Sequence, residues 1–326
     1  MIRSRVIGTG AYLPERRMTN RDVEKLVDTS DEWIVERTGI RERRIAAPEE
    51  ATSDLASAAG RAALASAGLA SSELDLIIVG TATPDMLFPS TACLVQERLG
   101  AKQAFAFDLS AACTGFLYAL AVADQYLRAG THRTALVIGA EVLSRMIDWT
   151  DRGTCILFGD GAGAVVLRAE EGERGVLSTH LHADGALWDL IHMPGGGSRM
   201  PPSAETLAGR MNFLKMKGNE TFRVAVRALE EVAREALSAN GVEPSDLALL
   251  IPHQANLRIL QAVAERLKLP PEKVMINVDR YGNTSAASVP IALDEAVRSG
   301  RVRPDDLVLL EAFGAGLTWG AALIRW

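Results

Sequence analysis

Three cysteines in 326 residues, no basic excess and no long apolar run set the first limits on this chain. Cys93, Cys113 and Cys155 are odd in number and lack metal-ligand spacing. That argues against a disulfide framework and against a thiolate metal centre, and it fits a reducing compartment where a thiol stays free. Lysine and arginine number 35 against 41 aspartates and glutamates, giving a net charge of −6. Nothing is left over to neutralise a nucleic-acid backbone. No segment approaches the roughly 18 consecutive apolar residues of a membrane span. The opening Met1-Ile2-Arg3-Ser4-Arg5-Val6 moves straight into a strand-like stretch, without the apolar core of a signal peptide. These absences predict a cytoplasmic protein that binds neither nucleic acid nor membrane.

What is present is an ordinary globular composition, 48% hydrophobic and 23% charged, in a chain long enough to bury a sizeable core. The chain also repeats itself. Residues 63–79 align without a gap on residues 236–252, and seven of the seventeen pairs are identical. Both runs read as helix end, glycine stop, short loop and buried strand. Nearly the same offset pairs Phe107-Asp108 with Val278-Asp279 and Leu136-Val137-Ile138 with Leu307-Val308-Leu309. Gly163 to Arg168 resembles Gly320 to Arg325, where each half would end. The order of matches predicts a duplicated α/β unit, with halves at 1–170 and 171–326.

Within each half, helical stretches alternate with short Val/Ile/Leu runs, the pattern of parallel strands covered on both faces. The expected helices include Thr52 to Ala67, Gly115 to Arg128, Glu220 to Asn240 and Ala287 to Ser299. Ile156-Leu157-Phe158 reads as a strand. Cys93 within a helix and Cys155 at that strand's start read as packing residues. Gly185 to Arg210, rich in glycine and proline, reads as a long surface or pocket-lining loop.

The run to Phe107 reads as a buried strand, small residues follow it, and Cys113 falls where the helix from Gly115 should begin. A thiol at a helix N-terminus feels the positive end of the macrodipole, which favours the nucleophilic thiolate. The segment alone fits a small buried cysteine equally well. His253 follows an apolar strand at Pro252, and Asn283 lies in Gly282-Asn283-Thr284-Ser285. The latter is also ordinary turn and cap chemistry. His132, His180, His182 and His192 sit in loop-like or alternating segments and read as solvated or satisfied. Cys113, His253 and Asn283 all fall at strand ends that correspond in the two halves, where duplicated α/β sheets place ligands.

These residues carry a resemblance. Ala112-Cys113, His253-Gln254-Ala255-Asn256 and Gly282-Asn283-Thr284-Ser285-Ala286 are similar to the β-ketoacyl-acyl carrier protein synthase III family. That family is the Cys-His-Asn subgroup of the thiolase superfamily. The likeness runs from Ile7-Gly8-Thr9-Gly10 to Phe313-Gly314-Ala315-Gly316-Leu317-Thr318-Trp319-Gly320, effectively the whole chain. It implies a five-layered αβαβα thiolase fold of two similar halves. It also implies an acyltransferase that condenses a short acyl-CoA, acetyl-CoA first, with malonyl-acyl carrier protein by decarboxylative Claisen chemistry. Acyl-CoA is then a substrate, and neither a cofactor nor a metal is implied.

The same resemblance assigns Cys113 as nucleophile, with His253 and Asn283 as hydrogen-bond donors to the malonyl thioester oxygen. It places a backbone oxyanion hole at Cys113 and Ala315, where the family usually has glycine in the second position. It implies a coenzyme A site at Thr29, Trp33, Arg37, Arg152 and Asn219. A homodimer is implied too, with Phe88 closing the partner's acyl pocket beside Leu143, Phe158 and Phe313. Arg223, Arg258 and Arg266 are the expected contacts for the acidic carrier protein. Where the family typically has two lysines, this chain has Glu265 and Arg266. Two other readings stand beside this one. One is a Cys-His-Asn enzyme of secondary metabolism with another starter or extender. The other is a non-catalytic scaffold, which has no need of all three residues.

Overall fold

A computed structural model describes residues 1–326. Nine strands make two sheets: β1 (Ile2–Tyr12), β2 (Leu76–Gly80), β3 (Phe105–Leu109), β4 (Thr134–Glu141), β5 (Gly161–Glu171), β6 (Gly175–Ala183), β7 (Leu249–Pro252), β8 (Leu307–Gly314) and β9 (Thr318–Arg325). The first sheet runs β1-β5-β4-β2-β3 and the second β7-β8-β9-β6. β2 lies parallel to both β3 and β4, and β7 lies parallel to β8. The chain passes from one sheet to the other through Gly172–Arg174, just beyond the boundary expected at 170/171.

The layering follows from which side each strand residue faces. The five longest helices pack on the sheets: α1 (Thr52–Ala67), α2 (Gly115–Arg128), α3 (Gly218–Ala239), α4 (Leu257–Arg266) and α5 (Ser288–Arg298). Leu76, Ile78, Ala135 and Val137 pack inward against α2 and α5, with Val308 and Leu310 of the second sheet in the same core. Their neighbours Ile77, Val79, Leu136 and Ile138 pack outward against α1. Leu309 and Leu323 face outward against α3 and α4. Strands with both faces buried read as continuous apolar runs, which is why they were legible; β3, expected to be buried, is an edge strand with Phe105 exposed. The result is helix, sheet, helix, sheet, helix: the αβαβα thiolase fold. A Cβ on Gly80 would lie 2.5 Å from the carbonyl carbon of Gly115. Only glycine lets α2 start this close to a strand end.

Two expected helices match to the residue, while α3 and α5 shift by one or two positions at their ends. The strand expected at Ile156–Phe158 does not form. A short helix, Arg152–Cys155, precedes it, and Phe158 makes only an isolated bridge to Asn283. That stretch is apolar because it packs in a satellite core with Leu143, Ile147 and Ile34. Cys155 is buried as expected, whereas Cys93 is exposed on its helix and is no core residue. The Gly185 to Arg210 stretch holds two short helical segments. Ile191–His192 pairs with Lys215–Met216 in a small ribbon.

Candidate active site

Cys113 sits in a 3-10 turn, Ala112–Thr114, that runs into α2. Ala112 takes the left-handed conformation (φ 46°), a strained turn that carries the chain from β3 to the helix. A Cβ on Gly314 would come within 2.7 Å of the Cys113 backbone nitrogen. Glycine is therefore required where the end of β8 passes the nucleophile. Cys113 keeps some surface on the cavity wall, yet burial pushes its thiol up to about 12 despite the helix start. The Ser285 hydroxyl beside it works in the opposite direction. The free thiol is thus held protonated, against the thiolate expected from the helix terminus alone.

His253 follows β7 directly and is 3% exposed. Its turn is fixed by Gln254, whose Nε2 donates to the carbonyls of Pro252 and Met275 and whose Oε1 accepts from Asn277 and Val278. Burial drives the imidazole down to about 3, so the ring is neutral. Its Nδ1 lies 2.6 Å from the Ser288 hydroxyl at the start of α5. Asn283 is gripped through its backbone, donating to Leu157 (2.8 Å) and accepting from Gly159 (3.0 Å). Its Oδ1 accepts the Ser285 backbone N–H at 2.8 Å.

Cys113, His253, Asn283 and Ala315 line one cavity of about 670 Å³. Its wall is mostly apolar, including Leu143, Phe158, Met216, Leu229 and Phe313. Phe88 is not part of it: the side chain is 84% exposed, next to the equally exposed Leu87. Arg37, Asn219, Arg223 and Arg258 belong to the lining, and Arg258 lies over the Phe222 ring. Trp33 is flanked by two guanidinium groups, Arg37 at 5.3 Å and Arg152 at 4.8 Å from the ring centroid. Arg37 thereby joins this cluster to the cavity. The Thr29 hydroxyl is buried without a partner. Arg266 lies apart from Arg223 and Arg258. It pairs with Glu230 at 2.7 Å and does not line the cavity, because α3 supplies a carboxylate within its reach.

Sequence reasoning missed a second ring of polar groups. Glu141, the last residue of β4, is fully buried, and so is Glu311 on β8. Burial raises them to about 7 and about 8, respectively. Glu141 accepts from Thr83, Ser285, Thr81 and Ala82, while both Glu311 oxygens lack partners. The only signal available was an acidic residue at the end of an apolar strand run. No three His, Cys, Asp or Glu side chains are grouped to hold a metal ion. No helix is long and apolar enough to cross a membrane.

Comparison with known proteins identifies the family. Residues 107–185 match the family described as 3-oxoacyl-[acyl-carrier-protein (ACP)] synthase III, and residues 237–326 match its C-terminal domain. A β-ketoacyl-[acyl-carrier-protein] synthase III from Rhodospirillum centenum is 59% identical, covering 100% of this chain and 99% of that protein. One from Xanthomonas campestris is also 59% identical, with the same coverage. The crystal structure of 3-oxoacyl-[acyl-carrier-protein] synthase III from Aquifex aeolicus superposes with a TM-score of 0.92. It is 53% identical and covers 99% of this chain and 100% of that one.

Proposed function

The chain belongs to the 3-oxoacyl-[acyl-carrier-protein] synthase III family, and on that premise we propose how its own residues carry out the reaction. It is an acyltransferase that condenses a short acyl-CoA with malonyl-acyl carrier protein. The products are 3-oxoacyl-acyl carrier protein, coenzyme A and CO2, and the step initiates fatty acid synthesis. The observation that carries the residue assignment is the meeting of Cys113, His253 and Asn283 on one cavity wall.

In the first half-reaction the Cys113 sulfur attacks the acyl-CoA carbonyl. The backbone N–H groups of Cys113 and Ala315 receive the oxyanion, which forms only in the transition state and rewards donors placed in advance. Coenzyme A leaves as a thiol. Its adenine takes the Trp33 face now covered by Arg152, and Arg37 and Asn219 guide the pantetheine arm past the cavity wall. A planar base displacing one guanidinium from the ring exchanges one stacking partner for another.

In the second half-reaction, loss of CO2 from the malonyl group leaves negative charge on its thioester oxygen. The Ser288 hydroxyl lies against His253 Nδ1, and in the tautomer where it donates there the neutral ring presents Nε2–H to the cavity. The Asn283 oxygen is occupied by Ser285, so its Nδ2 does the same. Two neutral donors suit an enolate oxygen better than an acid–base pair. The enolate carbon attacks the acyl-Cys113 carbonyl, and the Cys113 sulfur leaves and regains a proton. None of these steps uses a cofactor.

Arg223 and Arg258 on the cavity lining supply positive charge for an acidic carrier protein on an otherwise acidic enzyme. The active form is a homodimer of the cytoplasm, and the exposed Met86-Leu87-Phe88 run supports the dimer. The test is release of coenzyme A on mixing with acetyl-CoA and malonyl-acyl carrier protein. Cys113→Ala should form no acyl-enzyme, and acyl label appearing on Cys93 or Cys155 would overturn the assignment.

A further inference from the structure

The acyl transfer written above needs a destination for the thiol proton, and His253 is a poor one. Burial disfavours the charged ring that would result, and its Nδ1 is taken by Ser288. A different route leads away from Cys113. The Ser285 hydroxyl sits beside the thiol and donates to Glu141 Oε1 at 3.0 Å. Glu141 is fully buried at the carboxyl end of β4. Its remaining contacts are all donors: Thr83 Oγ1 at 2.7 Å, Thr81 Oγ1 at 3.3 Å and the Ala82 backbone N–H at 3.1 Å. Four donors around one carboxyl match the acceptor-only form of the group, the anion, and no cation offsets its charge.

We propose that Glu141 accepts the Cys113 proton through the Ser285 hydroxyl, making it a positioning residue and proton store for acyl transfer. The proposal rests on the condensing-enzyme reading given above. As the Cys113 sulfur bonds to the acyl carbon, its proton moves to Ser285 Oγ and the Ser285 proton moves to Glu141 Oε1. When the tetrahedral intermediate collapses, the carbon–sulfur bond to coenzyme A breaks. The same proton returns through Ser285 to neutralise the departing thiolate or the solvent that protonated it. The groups facing Glu141 are the three hydroxyls, the Ala82 N–H and the Cys113 thiol; the thiol is the titratable one among them. With Glu141 raised to about 7, the relay loses its acceptor as pH falls through neutrality.

The experiment is single-turnover coenzyme A release from acetyl-CoA between pH 5.5 and 10, in wild type, Glu141→Gln and Ser285→Ala. Wild type should rise to about pH 7 to 8 and level off. Both variants should be slower by roughly a hundredfold at pH 7, within the range of general acid–base contributions. They should keep climbing with pH, since the thiol must then ionise unaided. The sign is decisive, because Glu141 is a negative charge that opposes thiolate formation. If that charge were its only role, Glu141→Gln would acylate as fast as wild type or faster, which would overturn the relay. A slowed variant with the wild-type pH profile would overturn it too, leaving a structural role. Should Glu141→Gln fail to fold, the wild-type rate at pH 7 in mixed H2O and D2O is read instead: a bowed dependence on deuterium fraction fits two protons in flight, and a linear one overturns the relay. A wild type that releases no coenzyme A at any pH would count against the condensing-enzyme reading itself, a result distinct from either.

Discussion

The backbone N–H of Ser285 donates to Asn283 Oδ1 at 2.8 Å, and that bond leaves the amide nitrogen as the end available to a ligand. Asn283→Asp preserves the acceptor toward Ser285 and removes the donor. Both Asn283→Asp and Asn283→Ala should therefore lose malonyl decarboxylation by a hundredfold to a thousandfold, the cost of one oxyanion donor at about 2.7–4 kcal/mol. Acyl transfer from acetyl-CoA should stay within a few-fold of wild type. CO2 release and coenzyme A release, measured separately, distinguish the two steps. Equal loss of both would make Asn283 a turn residue only.

Glu311 gives a stability prediction whose sign follows from its burial. Its carboxyl is raised from 4.5 to about 8 by desolvation, with no hydrogen-bond partner. The unfolded chain releases that proton near 4.5, whereas the folded chain holds it to about 8. The stabilising contribution is complete below about 4.5 and is lost as pH climbs to about 8. Glu311→Gln removes this slope. Melting temperatures of the variant and wild type should converge near pH 4.5 and separate, in favour of glutamine, by pH 8. A constant gap across that range would show that Glu311 ionises normally.

Much of this was readable in advance, for reasons visible in particular residues. The alternation of Ile77 and Val79 with Leu76 and Ile78 needed only the two-residue period of a strand buried on both sides. Cys113 and His253 stood out because each follows a strand, whereas Asn283, also expected at a strand end, follows a short helix, Val278–Tyr281. The charge state of Cys113 was not readable. A helix terminus contributes about 0.3–2 kcal/mol, whereas a rise from 9 to about 12 corresponds to about 4 kcal/mol. Burial wins, and burial belongs to the fold. Glu141 was hidden for a related reason. Its partners Thr83 and Ser285 lie 58 and 144 positions away, and no local pattern joins them. The pairing of Arg266 with Glu230 was hidden too, because the carboxylate belongs to another helix.

Trp33 should report on adenine alone. Its face carries Arg152 at 4.8 Å, and a stacked base there is worth about 0.5–2 kcal/mol on cation–π and stacking scales. Trp33→Ala should raise KM for acetyl-CoA by roughly threefold to thirtyfold with kcat little changed. With acetyl-pantetheine, which lacks the nucleotide, the same variant should match wild type. Parallel losses on both substrates would place Trp33 in the packing of the Asp31–Thr38 helix instead.

Phe88 makes the last prediction, about assembly and primer length together. Leu87 and Phe88 are 85% and 84% exposed, side by side on one loop. Covering each is worth about 1.5–3 kcal/mol, which favours a second copy seated on this loop. Sedimentation at micromolar concentration should give a dimer. If Phe88 then closes the neighbour's acyl pocket, primers longer than the pocket must displace a packed ring, at about 1–3 kcal/mol. That is one to two powers of ten in rate if felt fully in the transition state. Acetyl-CoA should condense faster than isobutyryl-CoA and far faster than lauroyl-CoA, and Phe88→Thr should narrow the gap. Lauroyl-CoA matching acetyl-CoA in the wild-type dimer would mean that Phe88 does not set the pocket's end. Primer length would then be set by this chain's own Leu143, Phe158 and Phe313, which line the cavity without help from a partner.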